Sequence, residues 1–368
     1  MEFDRYRRRD SANARPSRPS RKRRRGQERR RVLRAVFRTT WIALLGLSSF
    51  VVLTVVALVA IGTLTPWGNA TRMMLAETVA STRHYRLARY MTSAPEYAQI
   101  VKAIDGTKVV NTGITNVVRV AGGNFTEGPV RIQKISGKGY NGFVVLIHDP
   151  RLVRLVEAKI TGDEGEYITS MAPRVGAVVG INASGFEDPN GEGWGGIPVG
   201  LEMVGYRVIN PMRTDNNWTT VGFTAQGVMV MGRYSTQELY SLKVRDAMQF
   251  RPELVVNGQP MITVGDGGWG IDPRTAIGQT GDGTVLFVVI NGRFRAGSIG
   301  ATQKQVMDVM LQYHAVNACA MDGGSSSVLY AMHKILNSPS TIDPNGERHL
   351  PDAWMVFPDP TSAAKYAP

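Results

Sequence analysis

Four stretches carry side chains able to do chemistry, and glycine accompanies each. The first is Gly180-Ile-Asn-Ala-Ser-Gly-Phe-Glu-Asp-Pro-Asn-Gly-Glu-Gly-Trp-Gly-Gly-Ile-Pro-Val-Gly200. Asn182 emerges from an apolar run, and the glycines from Gly185 onward let backbone approach a ligand closely. Glu187, Asp188 and Glu192 supply carboxylates. The plain alternative is a mobile surface loop. The second stretch, Asp272-Pro-Arg-Thr-Ala-Ile-Gly278, sets Arg274 and Thr275 at the mouth of a short strand. Arginine suits bidentate recognition of phosphate, although a structural pairing with a carboxylate explains a lone arginine equally well. The third, Asn291-Gly-Arg-Phe-Arg295, follows the run VLFVVI. Asn-Gly is a hairpin signal and accounts for Asn291 and Gly292, which leaves Arg293 projecting from the end of a buried strand. The fourth is Ala320-Met-Asp-Gly-Gly-Ser-Ser-Ser-Val328. Here Asp322, the backbone of Gly323 and Gly324, and the hydroxyls of Ser325 and Ser326 fall within one small volume. That combination suits an anion held beside a general base or nucleophile.

Together these residues fit a substrate bearing both negative charge and hydroxyls. Other chemistries lack their patterns. No His-x-x-x-His or paired-cysteine ligand set occurs, and His148, His314, His333 and His349 are scattered. Neither a Gly-x-Ser-x-Gly elbow nor a phosphate-binding P-loop is found. His84 lies in a helical stretch and reads as a surface or packing residue. No cofactor is required, and a divalent cation on Asp322, Glu187 or Asp188 stays open, because hard cations favour carboxylate oxygens.

The elements that must position these groups are mostly short strands. Apolar runs between Gly and Asn turns predict strands at Val117–Val120, Val130–Ile135, Gly142–Ile147 and Leu152–Lys159. A helix over Ile168–Val175 and a buried strand over Ala177–Ile181 follow. Further strands are expected at Gly227–Met231, Leu254–Val256, Thr275–Gly278 and Thr284–Ile290. The one convincing helix of this region is Thr302–His314, with Thr302 as N-cap, Gln305 in the capping-box position and Val306, Val309, Met310 and Tyr313 as its apolar stripe. Ala318–Met321 and Ser327–Met332 flank the Asp-Gly-Gly turn. Many strands and few crossover helices predict an α+β domain, a mixed, strand-rich sheet with few helices.

Charge is distributed unevenly. The 368 residues contain 43 Lys+Arg against 30 Asp+Glu, a net of +13, yet 16 of the basic and only 4 of the acidic residues precede Thr39. The body is therefore nearly neutral and offers no basic groove for nucleic acid. Thr39–Leu64 (TTWIALLGLSSFVVLTVVALVAIGTL) is uncharged and long enough for the roughly 30 Å hydrocarbon core, with Trp41 and Trp67 near its ends. It exceeds the apolar core of a cleaved signal peptide. The Arg-rich flank predicts a cytoplasmic N-terminus with the rest outside, and lipid as partner of residues 39–64 and of the basic tail. The expected organisation is a disordered basic tail over 1–38, a single transmembrane helix over 39–64, a helical stalk over 65–104 interrupted by Pro95, and the sheet domain over 105–368. Cys319 is the one cysteine, so no internal disulfide forms.

GINASGFEDPNG, DPRTAIG, INGR and MDGGSSS, in this order and with TQKQVMDVMLQYHAVNA before the last, resemble the phosphodiester glycosidase family over roughly residues 140–358. The basic tail and single span are similar to its membrane-anchored bacterial members of exopolysaccharide-biosynthesis type. One departure is Asn182-Ala-Ser-Gly-Phe186, where the family often has Asn-Gly-Gly-Phe-Phe. The resemblance implies hydrolysis of a sugar-1-phosphodiester of a cell-envelope glycan to sugar and phosphomonoester. It makes Asp322 nucleophile or general base, with Glu187 as reserve second carboxylate. Arg274 and Arg293 would stabilise the departing phosphate. Asn182, Ser184, Gly185, Thr275, Asn291, Gly323, Gly324, Ser325 and Ser326 would contact substrate. The competing expectations are a non-catalytic envelope-glycan binder and an exopolysaccharide-assembly partner.

Overall fold

The computed structural model describes residues 21–82, 84–105, 108–112, 128–160, 163–188, 193–215 and 218–366. The expected strand Val117–Val120, and Glu192 of the glycine-rich loop, lie outside the described residues. In chain order the elements are α1 Arg21–Leu64, α2 Pro66–Ala80, α3 Ala94–Asp105, β1 Val130–Gly137, β2 Tyr140–Ile147, β3 Val153–Glu157, α4 Ile168–Val175, β4 Val179–Asn182, β5 Glu202–Val204, β6 Arg207–Asn210, β7 Thr219–Thr224, β8 Met229–Gly232, α5 Thr236–Ser241, β9 Val244–Phe250, β10 Glu253–Val256, β11 Gln259–Pro260, β12 Arg274–Thr280, β13 Val285–Ile290, α6 Gln303–Gln312, β14 Ala315–Met321, β15 Leu329–Ala331, β16 Lys334–Ile335, β17 Asp352–Val356 and α7 Pro360–Lys365.

Two compact units divide after Ala70. The first contains α1, whose segment Arg31–Leu64 is long and apolar enough to cross a membrane. The helix begins at Arg21, inside the stretch expected to lack structure. Arg, Lys, Gln and Glu are good helix formers, so the basic flank continues the apolar helix.

The second unit, Thr71–Pro368, is built on three sheets. Their strand orders are β1-β2-β13-β12-β14-β10-β11, β16-β15-β4-β17-β3 and β6-β5-β9-β7-β8. The unit is strand-rich with few helices, as expected. Every pairing among the described strands is antiparallel, so what is mixed is helix with sheet rather than strand direction. Antiparallel neighbours need only tight turns, which explains the abundance of glycine. The run VLFVVI of β13 is buried along its whole length, because it lies between β2 and β12 and is covered on both faces. Trp354 of β17 packs edge-on to Phe223 of β7 at 5.4 Å and locks the second sheet to the third. Helix α6 carries the expected capping box: Gln305 N donates to Thr302 Oγ1 at 3.2 Å, and Thr302 N donates to Gln305 Oε1 at 2.9 Å.

Two helices of the expected stalk belong to this story. Pro95 opens α3 instead of interrupting a helix, since proline is tolerated in a first turn where no N–H partner is needed. The break falls earlier, in a 3-10 turn over Tyr85–Tyr90. Arg72 of α2 forms an ion pair with Glu96 of α3 at 2.5 Å. Ala76, Ile100 and Ile104 form a small core that also takes in Trp269.

Candidate functional site

Register assembles the site. In the first sheet Arg274 stands opposite Ile290, and Thr275 stands opposite both Val289 and Met321. The start of β12 and the ends of β13 and β14 therefore coincide, so Arg274, Asn291 and Asp322 emerge at one edge. Asn182, the last residue of β4, joins them from the second sheet. Its Oδ1 accepts from Thr275 Oγ1 at 2.8 Å and from Val328 N at 3.2 Å. Its Nδ2 donates to the Asp322 carbonyl at 2.7 Å. Asp322 N returns a bond to Ala183 O at 3.1 Å. The Asn182 amide thus stitches two sheets together at the base of the site, and Thr275 serves it.

Asp322 is half-buried on the Asp-Gly-Gly turn. Desolvation pushes its carboxyl above the ordinary aspartate range. The Ser326 hydroxyl, the Arg348 charge and the Gly323 N–H draw it back down. Ser326 leans on this carboxyl without a well-formed hydrogen bond, and the buried Ser327 hydroxyl beside it has no partner. Gly323 and Gly324 leave room for the two arginines. A methyl group on Gly323 would stand 3.6 Å from Arg274 Nη1, and one on Gly324 would stand 3.1 Å from Arg293 Nη2. Gly324 also has φ +61°, a conformation that L side chains rarely adopt.

Arg274 is 4% exposed. Its Nε donates to Ala301 O at 3.0 Å, and its Nη2 donates to Trp269 O at 2.7 Å and Gly270 O at 2.8 Å. Among the described residues Nη1 has no hydrogen-bond acceptor, and it faces the Gly323 turn. Burial lowers the affinity of this guanidinium for its proton, offset by the nearby charges of Asp272 and Asp266. Arg293 is held by Asp272 in a two-pronged pair, Nε to Oδ1 at 2.9 Å and Nη2 to Oδ2 at 3.1 Å, and its side chain is 44% exposed. It sits at φ +51° in a turn where Phe294 and Ala296 are also left-handed, strain of the kind that gathers at functional sites.

The other expected residues are placed less directly. Ser184 is buried and donates from N and Oγ to the Asp352 carboxylate at 2.7 and 2.5 Å. Asp352 is itself pushed up to about 6, by burial first, against the Ser184 bonds, with the Asp322 charge adding to the rise. Behind it Glu202 is fully buried with one oxygen unpartnered, and burial holds its carboxyl far above the normal range. Asn291 is committed to Asn141 and to Ser338 N, at 2.7 Å each. Gly185 is buried against the Phe250 ring. Glu187 is exposed on the loop, and its N donates to Ile197 O at 2.8 Å. Asp188 accepts from Gly193 N at 2.9 Å, tying the loop to itself. Ser325 accepts from Arg348 Nη1 at 2.8 Å.

Arg348 was not among the residues that sequence pattern singled out. Its guanidinium lies over the Phe186 ring at 4.5 Å, holds Ser325 and bears on Asp322. It sits in Gly346-Glu-Arg-His349, which matches no motif, and its only sequence signal is a charge just before the apolar β17. Among the described residues no group of three or more His, Cys, Asp or Glu is arranged to hold a metal ion.

A buried arginine with an open edge, a carboxyl raised by burial and glycines between them define a strand-end site for an anionic ester on an antiparallel sheet domain. Residues 175–357 match the model of the family described as phosphodiester glycosidase. The SPbeta prophage-derived uncharacterized protein YomE of Bacillus subtilis (strain 168) is 29% identical over 220 residues, covering 55% of this chain and 31% of that protein. The chain therefore spans about a third of that relative's length. The zebrafish N-acetylglucosamine-1-phosphodiester alpha-N-acetylglucosaminidase catalytic domain, auto-inhibited by its pro-peptide, shares the fold. Its TM-score is 0.52 at 18% identity, over 62% of this chain and 82% of that one. A hypothetical protein from Synechocystis matches with a TM-score of 0.46 at 17% identity, over 64% of this chain and 63% of that one.

Proposed function

We propose that the protein hydrolyses a sugar-1-phosphodiester of a cell-envelope glycan, giving the free sugar and a phosphomonoester. It would act outside the membrane that α1 crosses, with the N-terminus in the cytoplasm. The family match and the shared fold with an enzyme named for N-acetylglucosamine-1-phosphodiesters support the reaction class. The observation that carries the reading is the open Nη1 of Arg274, facing the glycine turn that bears Asp322.

In this reading the phosphate lies against Arg274 Nη1, with the half-exposed Arg293 at its outer side. Positive charge placed where negative charge develops on the leaving group lowers the barrier. Phosphate leaves far more readily than an alkoxide, its second pKa being about 6, so a dedicated acid carboxyl is not needed. This suits a site in which Glu187 is exposed on its loop and Asp352 is bonded to Ser184. Asp322 then activates water or attacks the anomeric carbon through its oxocarbenium-like transition state. Ser325 and Arg348 hold the oxygens beside it, and the rings of Phe186 and Trp194 form the sugar wall.

The test uses the purified chain with sugar-1-phosphodiesters and matching p-nitrophenyl glycosides, following products by mass. Sugar and phosphomonoester should appear from the phosphodiesters. Turnover should fall by about 10²–10⁴ in Asp322→Ala, the range for loss of a general base. Saturable binding of the phosphodiesters with no product at any time would replace the enzyme with a glycan-binding protein.

A further inference from the structure

Arg274 owes its orientation to two consecutive carbonyls, Trp269 O and Gly270 O, and the loop presenting them is gripped by α2 and α3. Thr78 of α2 accepts from Ile271 N through Oγ1 at 3.1 Å. Ser81 Oγ donates to Thr78 O at 2.9 Å and shares that proton with Trp269 O at 3.3 Å, the same oxygen that receives Arg274 Nη2. Gly270, at φ +60°, lies so close to α2 that a methyl group there would stand 2.4 Å from Thr78 N. Gly268 is pressed equally against α3, where a methyl would meet Ala103 Cβ at 2.6 Å. The indole of Trp269 fills the small core of Ala76, Ile100 and Ile104. Arg251 closes the arrangement from the sheet side, stacking on Trp269 at 5.6 Å and pairing with Asp105 at the end of α3 at 2.7 Å.

We propose that α2 and α3 are a working part of the site, and that Thr78 and Ser81 are positioning residues which fix the Arg274 guanidinium through the Gly268–Ile271 loop. A buried guanidinium held only by carbonyls keeps its direction as long as those carbonyls keep theirs. The loop has glycine at 265, 267, 268 and 270, so its own backbone gives little stiffness. The helices supply it. The membrane-proximal helices then do more than space the domain from the bilayer: they set the direction of the charge that meets the anion. The inference rests on the proposed function only for what Arg274 does to substrate, and not for how it is held.

The experiment uses the full chain in detergent and compares Thr78→Val, Thr78→Ser and Ser81→Ala with the parent. The first readout is the rate at which phenylglyoxal labels Arg274, located by peptide mass, with the buried Arg154 as internal control. Thr78→Val should label Arg274 several-fold faster at an unchanged Arg154 rate, Ser81→Ala should show a smaller rise, and Thr78→Ser should return to the parental rate. The second readout is turnover of a sugar-1-phosphodiester, where kcat should fall about tenfold in Thr78→Val while p-nitrophenyl glycosides change little. Parental labelling of Arg274 in both Thr78→Val and Ser81→Ala overturns the proposal. So does equal acceleration at Arg154 in both, because that reports loss of the fold at large. If the parent releases no sugar, the hydrolase reading fails while the labelling still decides this one.

Discussion

Two of the three arginines buried among the described residues, Arg154 and Arg274, are treated differently. Arg154 of β3 meets a carboxylate: its Nε and Nη2 bond Asp246 at 2.6 and 3.2 Å, Nη1 bonds the carbonyls of Ala363 and Tyr366, and the Tyr366 ring lies 5.1 Å away. Arg245 joins the same Asp246 at 3.0 Å. Every face of that guanidinium is occupied by protein. Arg274 is almost as buried, yet among the described residues it makes no ion pair, and its carbonyl partners neutralise none of its charge. Desolvating a charge without a counter-ion is costly. The first arginine is paired with a carboxylate of the protein, whereas Arg274 turns one edge toward the glycine turn that bears Asp322. The contrast separates an arginine bonded to structure on every side from one proposed to meet substrate.

The largest test of that contrast removes each charge in turn. Arg154→Met should cost about 3–5 kcal/mol, because Asp246 loses its main partner in the interior; chemical denaturation measures it. Arg274→Met should cost less, about 1–2 kcal/mol, since a desolvated charge disappears while the carbonyls of Ala301, Trp269 and Gly270 lose a donor. The same change should lower phosphodiester turnover by about 10²–10³. Equal losses of stability at both positions would erase the distinction.

A smaller effect sharpens it at Asp322. The Arg348 charge pulls the Asp322 carboxyl down against burial. Arg348→Gln should therefore raise it, and the acid limb of the kcat/KM profile should move to higher pH. A limb that stays in place would mean that Arg348 only braces Ser325.

The smallest effect concerns the helices that steady Arg274. Glu77 of α2 is raised to about 7, by burial first and then by the charge and hydrogen bond of Asp266. A carboxyl raised in the folded state favours folding below its unfolded value. That contribution is lost as pH rises toward and through about 7, when the proton between Glu77 and Asp266 departs. Stability should decline over that window, and Glu77→Gln should flatten the decline. Thermal melts from pH 4.5 to 8 would show whether the slope survives the substitution.

Much of the site could be read from sequence because its residues stand where apolar runs end. Arg274, Asn291 and Asp322 each follow or begin such a run, and antiparallel register then gathers them. The roles were less legible. Asn182 looks like a ligand for hydroxyls, but Thr275, Val328 and Asp322, far away in sequence, hold its amide between two sheets. Ser184 likewise serves Asp352. Of the third sheet only β8 was expected, within Gly227–Met231; β7 and β9 escaped prediction because they bury polar side chains, Thr219 and Thr220 in β7 and Arg245, Asp246 and Gln249 in β9. Those residues hide the alternation from which strands are recognised. Arg348 comes from a connecting segment, and only the packing of Phe186 beneath it shows what it does.

The stitch made by Asn182 also has a consequence in time. It joins positions 93, 140 and 146 residues apart along the chain. Contacts this distant form slowly, after the loops between them have closed. No partly folded intermediate that lacks the final strands can hold Asp322 in place. During refolding, the proposed hydrolysis would return only with the last cooperative step, which would make it a clock for completion of the fold.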